Sequence, residues 1–597
     1  MSSRLANNVR AAGRVWLTVF AIAVQTTSAS TYYVDALEGD DSADGRAPTP
    51  QLTSGPWRTL DRANSHDFDP GDDLMLRRGR AYTNDGLVVQ HGGSAVDPVI
   101  ISSYGDGPPP RIDGTAHERH GIAIDNVGPA HILIEAIAVR NISGGQSISV
   151  TGSDHVTLRN LELVNNTTRN GILVTRSQDV LIEHVTIRNV KNSGIALIGS
   201  SSDAVANVTV RDCLISGVID NDGITIHRDS SDDDAGTNFV FTGNYTENCA
   251  EQGYDITSGT DVLLVDNTSS NCADSSLLIS QGASRVTVLF HESIADSHDA
   301  GAAIIISAPE VTVAYSTFRG EAYRHASIDG NGPVALLNNL FIVPDRMRFP
   351  IDIRAAAGVT FVNNIVTSPH NAMSRAIRFF ATNAVPGRID HLVDHNLYDG
   401  VDAIDSRLMY IAVDNQLLTL DPFRSLYGKE RNGRIADPMF AVPPTEDTLL
   451  KASSPGIDAG MMVTNLPAGP GLDALPLPMD GNGDGLIAPD IGPVEHAYRP
   501  VDSDGDSMLD ADELRAGTAP DDPTSYLAIR EVRMLDSGHV QLGWIASTGV
   551  PYVIRARAAG SSSGDIVRSG LLATTNYMVT DVLPPAGNAI VFDVGVE

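Results

Sequence analysis

Short runs of alternating apolar and polar residues recur along most of this chain. Polar residues and glycines separate one run from the next. The alternation predicts short strands with one buried face, because successive side chains of a strand point to opposite sides. The spacing between runs, roughly 22–32 residues, is that of one turn of a solenoid. The runs begin at Val156, Val180, Val208, Phe239, Val262, Val286, Val311, Val334 and Val359.

The sixth position of each run forms a column in which asparagine recurs. A buried amide needs hydrogen-bond partners, and equivalent amides on neighbouring coils supply them. We therefore expect an internal ladder of side chains. The column comprises Leu161, Val185, Cys213, Asn244, Asn267, His291, Thr317 after one extra residue, Asn339, Asn364 and then Asn396.

A second, shorter strand precedes each of the central runs, starting at Gly171, Gly194, Gly223, Gly253 and Ser276. Its alternation places Ile224 and Ile226 on one face and the residues between and after them on the other. No stretch of the chain has apolar periodicity of helical length. The pattern predicts an all-β solenoid whose coils stack strand on strand about 4.8 Å apart.

The N-terminal lead-in carries a resemblance. After Tyr32–Asp35 come the segments Pro56–Leu60, Pro70–Gly79 and Pro98–Gly105, and a closing run follows at Asp490–Glu495. Together they resemble the secreted pectate-lyase-like β-helix proteins, a superfamily of polysaccharide lyases, glycoside hydrolases and uronan epimerases. The resemblance implies a right-handed parallel β-helix over residues 31–495 and leaves the reaction open, since one fold hosts many chemistries.

The two ends of the chain read differently from the repeats. Residues 1–30 have basic, apolar and small-residue regions in the order of a cleaved signal peptide, so we expect a secreted or periplasmic protein. The apolar run is too short to span a bilayer. An acidic linker occupies residues 496–525. Residues 526–597 predict a small β-sandwich-like accessory domain, in which we expect Trp544 to belong to the core.

The net charge and the cysteine content limit the classes of ligand and metal site that the sequence can support. The formal net charge of −33 argues against nucleic acid, which requires clustered lysine and arginine. The three cysteines make neither a disulfide framework nor a zinc pattern, and Cys249 and Cys272, which stand in matching contexts, are predicted to stack either as free thiols or as a disulfide. We expect a monomer that binds a polysaccharide.

The linker carries a predicted structural calcium loop. Its spacing of carboxylates, with one backbone carbonyl, supplies the hard oxygens that Ca²⁺ requires and resembles an EF-hand loop or a thrombospondin type 3 repeat, although Ser507 stands where glycine is usual. The predicted ligands are Asp502, Asp504, Asp506, Met508, Asp510 and Glu513. A second calcium loop at Asp480, Asn482 and Asp484 lacks the final carboxylate, and ordinary turns explain it equally well.

Two adjacent predicted coils carry a concentration of charged residues on the outer surface of the solenoid. If Gly223 stacks on Gly253, Thr225 lies beside Asp255, His227 beside Thr257, and Asn221 beside Glu251. Such a patch places carboxylates close together, and close carboxylates raise one another's pKa. The predicted catalytic residues are Asp222, Asp255, Glu251, His227 and Asp220, and the predicted substrate-binding residues are Arg228, Thr225, Thr257 and Asp274.

Acids outnumber bases in this patch, which favours carboxylate-based glycoside hydrolysis. One alternative is a polysaccharide lyase that acts by β-elimination on a uronate, with His227 as base and Arg228 or calcium neutralising the carboxylate; a uronan epimerase would use the same parts. A lysine base is awkward, because Lys191 is the only one of three lysines near these coils. The other alternative is a non-catalytic, glycan-binding or adhesive surface β-helix.

Overall fold

The computed structural model describes residues 29–495, apart from 230–233, 296–300, 331, 345–346, 348, 356, 370, 372, 381–388, 402–405, 452 and 480–486, and then residues 529–535, 539–545, 551–558, 565–572, 577–582 and 590–596. Its main body is a parallel β-helix with three faces, here called A, B and C. In each coil the chain passes along face A, then B, then C, and the next coil pairs with it in parallel. The predicted all-β solenoid is confirmed.

Face A contains Leu87–Val89, Ile172–Thr175, Ile195–Gly199, Ile224–Arg228, Ala302–Ile306, Arg324–Ile328, Ile351–Ile353, Ile377–Phe379 and Met409–Ile411, with Gln416–Leu418 antiparallel at its end. Face B contains Thr31–Val34, Asp73–Arg77, Val99–Tyr104, Gln178–Glu183, Val205–Arg211, Gly236–Thr242, Val311–Ala314, Val334–Leu337, Ala357–Val362 and Asp390–Asp394. Four long strands run through both faces: Ile122–Glu135, Ile148–Arg159, Gln252–Val265 and Ser275–Leu289.

Face C contains Ala81–Tyr82, Arg111–Asp113, Ala138–Arg140, Glu162–Asn166, Thr186–Val190, Leu214–Val218, Tyr245–Cys249, Thr268–Ser270, Glu292–Ala295, Thr317–Gly320, Leu340–Ile342, Ile365–Thr367, Leu397–Asp399 and Arg434–Ile435. The helices within the described residues are the α-helices Leu60–Asn64 and Leu420–Tyr427 and the 3₁₀ turns Gly114–Ala116 and Leu472–Ala474. No helix in this part of the chain is long and apolar enough to cross a membrane.

The core fills the space between the three faces with stacked side chains. In most strands of faces A and B, alternate residues point inward and are buried, as the alternation predicted. Aromatic rings continue this stacking, with ring centroids 5.1 Å apart for Phe318 and Phe341 and 6.0 Å apart for Phe341 and Phe361. Burial of this apolar surface along the whole length of the solenoid stabilises the coils.

The asparagine ladder is present at the corner between faces B and C. Asn244 Nδ2 donates to Asn267 Oδ1 at 3.0 Å, and Asn364 Nδ2 donates to Asn396 Oδ1 at 3.1 Å. The prediction for Thr317 was wrong by one residue: Ser316 holds the column, since its hydroxyl accepts the backbone N–H of His291. The ladder ends at Glu430, which accepts hydrogen bonds from Asn396 and the Tyr398 hydroxyl and is fully buried.

All three cysteines are buried free thiols in this structure. Cys213 lies on the ladder column. Cys249 and Cys272 occupy consecutive coils at the corner that leads into face A, as their matching contexts predicted. A hydrogen bond with Cys249 lowers the pKa of the Cys272 thiol to about 7.

Among the described residues, the stacked parallel strands end at Arg434–Ile435, and the domain boundary at residue 495 stays a prediction. The described part of residues 436–495 returns along the outside of the solenoid. Leu450, Ile457 and Ile491 pack against the outer side of face C, and Met461 and Leu475 pack near the end of face B. Among the described residues of this segment, these apolar contacts lie on faces B and C.

The C-terminal part contains two three-stranded antiparallel sheets. One has Ile529–Met534, Val540–Ile545 and Tyr577–Val582, and the other has Asp565–Leu572, Pro551–Ala558 and Ile590–Val596. Trp544 is fully buried there against Leu542 and Tyr552, so it belongs to the core as expected. The predicted signal peptide lies, but for residues 29–30, outside the described residues and stays a prediction.

Candidate active site

A column of glycines begins the central strands of face A. Gly223 lies so close to the next coil that an added Cβ would stand 2.5 Å from the carbonyl oxygen of Gly253 and 2.7 Å from Cγ2 of Thr246. Only glycine allows this approach at the corner between faces C and A. The predicted stacking of Gly223 on Gly253 is therefore confirmed, and it fixes the register of the residues on either side.

Asp255 lies in that register directly beside Thr225 on the outer side of face A. Thr257 Oγ1 donates to Asp255 Oδ1 at 2.6 Å, and Thr225 Oγ1 donates to Asp255 Oδ2 at 3.4 Å. The carboxyl points away from the core, yet Asp255 is only 7% exposed. Burial raises the pKa of Asp255, while the two hydroxyl groups and His227 act in the opposite direction.

Asp222 lies at the corner just before Gly223, in a column whose side chains accept backbone N–H groups from the next coil. Asp222 Oδ1 accepts the N–H of Gln252 at 3.0 Å. Earlier coils do the same with neutral side chains: Asn170 Oδ1 accepts the N–H of Ser193, and Gln146 Oε1 accepts that of Asn170. The structural role therefore needs an acceptor and not a charge.

The environment of Asp222 opposes its ionisation. Only 5% of the residue is exposed. Burial, reinforced by the neighbouring charge of Asp255, raises the pKa of Asp222 to about 8. Asp222 is thus a carboxyl that keeps its proton at neutral pH, beside a second carboxyl whose charged form receives two hydroxyl donors. Both pKa values are raised, but the two hydroxyl donors oppose the rise at Asp255. A difference of this kind between paired carboxylates separates the acid from the base.

The other predicted residues surround this pair with greater exposure. Glu251 and Asp274 continue the row of Asn221, joined by backbone hydrogen bonds, and Asp274 accepts the side-chain amide of Gln252 at 2.7 Å. Asp220 pairs with Lys191 at 3.5 Å.

The remaining two, His227 and Arg228, end the strand. The exposed His227 has its Nδ1 2.7 Å from the carbonyl of Arg228. The Arg228 guanidinium lies over Gly282, so it does not point into the core.

The metal predictions are not tested by the described residues. Within that part of the chain, no group of three or more His, Cys, Asp and Glu side chains is arranged to hold a metal ion. The loops with Asp480, Asn482 and Asp484 and with Asp502, Asp504, Asp506, Met508, Asp510 and Glu513 lie outside the described residues. Calcium in the linker stays a prediction.

The same column of face A carries a second polar cluster that sequence reasoning missed. From Asp255 the column runs through Leu278, Ile305 and Ser327 to Asp352 and Arg378. The expectation that polar enrichment is confined to the coils around Asp222 was therefore wrong.

In this arginine cluster, Asp352 is fully buried and is contacted by three guanidinium groups. It accepts from Arg378 Nε at 2.8 Å and Arg354 Nε at 3.1 Å, and from Arg324 as well. Burial alone would raise the pKa of Asp352, but the arginines outweigh it and hold that pKa below its usual value. A signal was present in the sequence: Ile351-Asp352-Ile353-Arg354 repeats the alternation of the face A strands, one coil after another.

The family described as right handed beta helix region matches residues 120–341. The chain contains a right-handed β-helix. A lacto-N-biosidase of Bifidobacterium longum subsp. longum is 34% identical over 87 residues, which are 14% of this chain and 5% of that protein. The matched stretch is thus a small fraction of the relative's length.

Two solved structures match this chain at low identity and low TM-score. A GH136 lacto-N-biosidase from Eubacterium ramulus is 15% identical with a TM-score of 0.35, over 66% of this chain and 68% of its own. A mannuronic acid specific polysaccharide family 6 lyase from human gut microbiota is 12% identical with a TM-score of 0.47, over 65% of this chain and 94% of its own.

Proposed function

We propose that this chain is a glycan-cleaving enzyme whose groove crosses face A at Asp222 and Asp255, and that it hydrolyses glycosidic bonds. One observation carries the proposal. In a column where Asn170 and Gln146 accept the same backbone hydrogen bond, Asp222 replaces the amide. A second buried carboxyl, Asp255, lies on the next coil on the outer side of face A. Because a neutral amide fills the same structural role, the fold does not need an ionisable group at that position. We therefore assign Asp222 a catalytic role.

The two carboxyls divide the work of hydrolysis. Asp222, protonated at neutral pH, donates its proton to the glycosidic oxygen as the bond to the leaving sugar breaks. Asp255 takes the opposite role: it either attacks the anomeric carbon or removes a proton from the attacking water. Asp255 lies one coil step and three strand positions away from Asp222. This offset separates the two Cα atoms by up to roughly 11 Å, which argues against the short carboxyl spacing of retaining enzymes, so we propose water as the nucleophile.

The name of the matched Bifidobacterium relative, lacto-N-biosidase, also supports a glycosidase. The exposed side chains of Glu251, His227 and Asp274 border the pair, and we propose that they contact the sugars together with Arg228 and Thr257. The sugar and the linkage are left to experiment.

The test compares purified wild-type protein with Asp222→Asn and Asp255→Asn on a panel of neutral and uronate polysaccharides, scored by new reducing ends. Asp222→Asn keeps the acceptor for Gln252, so the fold is retained and only the proton is lost. We expect each variant to lose about 10²–10⁴-fold in rate. The matched control is Asp212→Asn, an exposed aspartate at the B–C corner of the preceding coil, which keeps full activity. Unchanged rates in both variants would overturn the assignment.

A lyase is the second candidate, and the position of Arg228 favours it. The Arg228 guanidinium lies over Gly282, outside the core and next to His227 in the chain, and a guanidinium neutralises a uronate carboxylate. In that mechanism His227 removes the proton next to the carboxylate. The products separate the two reactions, because elimination leaves a conjugated double bond and hydrolysis does not. Unsaturated products whose formation requires His227 would replace the hydrolase proposal. Glycan binding by wild-type protein without cleavage of any panel member would favour the non-catalytic alternative.

A further inference from the structure

The arginine cluster carries more positive charge than its own carboxylates neutralise. Arg324, Arg354 and Arg378 surround Asp352, and Asp329 lies 3.5 Å from Arg354. Among the described residues, three guanidinium groups therefore face two carboxylates, on a chain whose formal net charge is −33. A cluster built only to satisfy the buried Asp352 would not need a third arginine, because one guanidinium already binds a carboxylate at two points.

The arginine cluster also has N–H donors that its own carboxylates do not use. A guanidinium carries five N–H groups, and within the described residues Arg354 reaches Asp352 and Asp329 through Nε alone. The side chain of Arg354 is 44% exposed, whereas Arg324 and Arg378 are largely buried. The two Nη groups of Arg354 therefore form a fork at the surface, oriented by the buried arginines behind it. Paired Nη groups match the two oxygens of a carboxylate.

Aromatic rings line the same place. Tyr323 is 64% exposed, and the Arg324 guanidinium lies 4.6 Å from its ring centroid. The ring of Phe380 lies 5.6 Å from Arg354 and 4.6 Å from Arg378. Flat apolar rings beside fixed polar donors are the usual composition of small-ligand sites.

The position of the cluster ties it to the proposed active site. Arg324 lies in the column of Asp222, and Asp352 in the column of Asp255, each four coils further along. Four coil steps of about 4.8 Å make roughly 19 Å, the reach of a short oligosaccharide. A glycan chain that lies along face A contacts both clusters at once.

We propose that the arginine cluster is a subsite for an acidic sugar, with Arg354 binding the carboxylate of a uronate residue and Tyr323 packing against the sugar ring. This inference rests on the proposed function, which supplies the glycan. It assigns the substrate class: a polysaccharide that carries a carboxylate at a fixed distance from the cleaved bond.

The test is binding, measured by titration calorimetry with the full chain carrying Asp255→Asn so that nothing is cleaved. The probes are oligosaccharides of galacturonate, mannuronate, guluronate or glucuronate, each beside its carboxyl-reduced, neutral form. We expect at least one uronate to bind about tenfold or more tightly than its neutral form, the effect of one charge-assisted hydrogen bond. Arg354→Gln removes that preference, and Arg354→Lys restores part of it because it keeps the charge without the fork.

The matched control is Arg140→Gln, a half-exposed arginine that pairs with Glu162 on face C, and it keeps the preference. Equal binding of all charged and reduced forms, no binding of any probe, or a preference untouched by Arg354→Gln would overturn the subsite. Equally tight binding of sulfated, carboxyl-free oligosaccharides would overturn the carboxylate assignment. Cleavage is measured in a separate experiment that compares the wild-type protein with Asp222→Asn and Asp255→Asn. Activity that survives both substitutions would overturn the proposed function, and it would not change the result of the binding experiment.

Discussion

The coils around Asp222 and Asp255 and the coils around Arg324 and Asp352 present opposite chemistry at equivalent positions. The backbone is the same, and the outward columns are the same. In the first pair of coils, Asp222 and Asp255 form no salt bridge with any described lysine or arginine, and their pKa values rise. In the second, a more deeply buried carboxyl is surrounded by arginines, and its pKa falls.

Burial is therefore not what separates the two regions. The two regions differ in the charged residues that surround each carboxyl. The charge that each column places one coil away decides whether a buried carboxyl keeps its proton. A parallel solenoid makes this arrangement direct, because residues equivalent in successive coils lie about 4.8 Å apart whatever their sequence separation. One face can therefore hold an acidic reaction centre and a cationic subsite without any change of fold.

The largest expected effect is on the arginine side. Asp352→Asn leaves Arg324 and Arg378 buried without their counter-charge, and removing one partner of a buried ion pair typically costs about 3–5 kcal/mol. Urea unfolding of the two proteins measures the loss in free energy of unfolding. The control is Asp329→Asn, which removes a partly exposed carboxylate 3.5 Å from Arg354. We expect a loss below about 1 kcal/mol, as is usual for a partly exposed pair. Equal losses would mean that Asp352 is not the charge that holds the cluster together.

The corresponding substitution at Asp222 is expected to raise the free energy of unfolding and not to lower it. The folded-state pKa of Asp222, about 8, lies above its unfolded value, so its contribution to stability is present at low pH and is lost as pH rises from about 4 to 8. Asp222→Asn does not titrate and keeps the bond to Gln252. At pH 9 we expect the variant to be more stable than wild type by several kcal/mol, with little difference at pH 4, because each pKa unit of the rise corresponds to about 1.4 kcal/mol. Denaturant unfolding at both pH values measures this, and a gap independent of pH contradicts it.

A smaller effect concerns Asp255. Thr257→Val removes the 2.6 Å hydroxyl bond that favours the charged carboxyl, so the pKa of Asp255 rises further. A hydrogen bond to a charged group of about 1.5–3 kcal/mol corresponds to roughly one pH unit or more. The acidic limb of the pH–rate profile should move upward by about that amount. Thr225→Val, which removes the longer 3.4 Å bond, is the graded comparison and should move it less. Equal or absent shifts would remove Asp255 from the rate-limiting ionisation.

Much of this architecture follows from the sequence, and the exceptions have physical causes. Alternation and the glycine column are local signals, so they gave the strands and the contact between Thr225 and Asp255. Ser316 took the place predicted for Thr317 because a hydroxyl at either residue satisfies the pattern, and only the backbone path decides between them.

Other features depend on contacts that no repeat encodes. Asp255 points outward as alternation requires, but its low exposure comes from surrounding side chains. The arginine cluster joins residues from three coils whose face A strands lie beyond the last one aligned, at Ser276. The returning segment after Ile435 packs through irregularly spaced residues such as Leu450 and Ile457, so periodicity does not reveal it.

The smallest expected effect concerns Lys191, and its measurement tests whether a lysine acts as a base in the reaction. Lys191 pairs with Asp220 at 3.5 Å, with both side chains nearly half exposed, and such pairs contribute between zero and about 1 kcal/mol. Lys191→Ala should change the free energy of unfolding by less than about 0.5 kcal/mol, measured beside the 3–5 kcal/mol of Asp352→Asn. Cleavage should also be unaffected, because hydrolysis by Asp222 and Asp255 needs no lysine. A large loss of activity with intact stability would make Lys191 a base, and the reaction on this face would then be elimination.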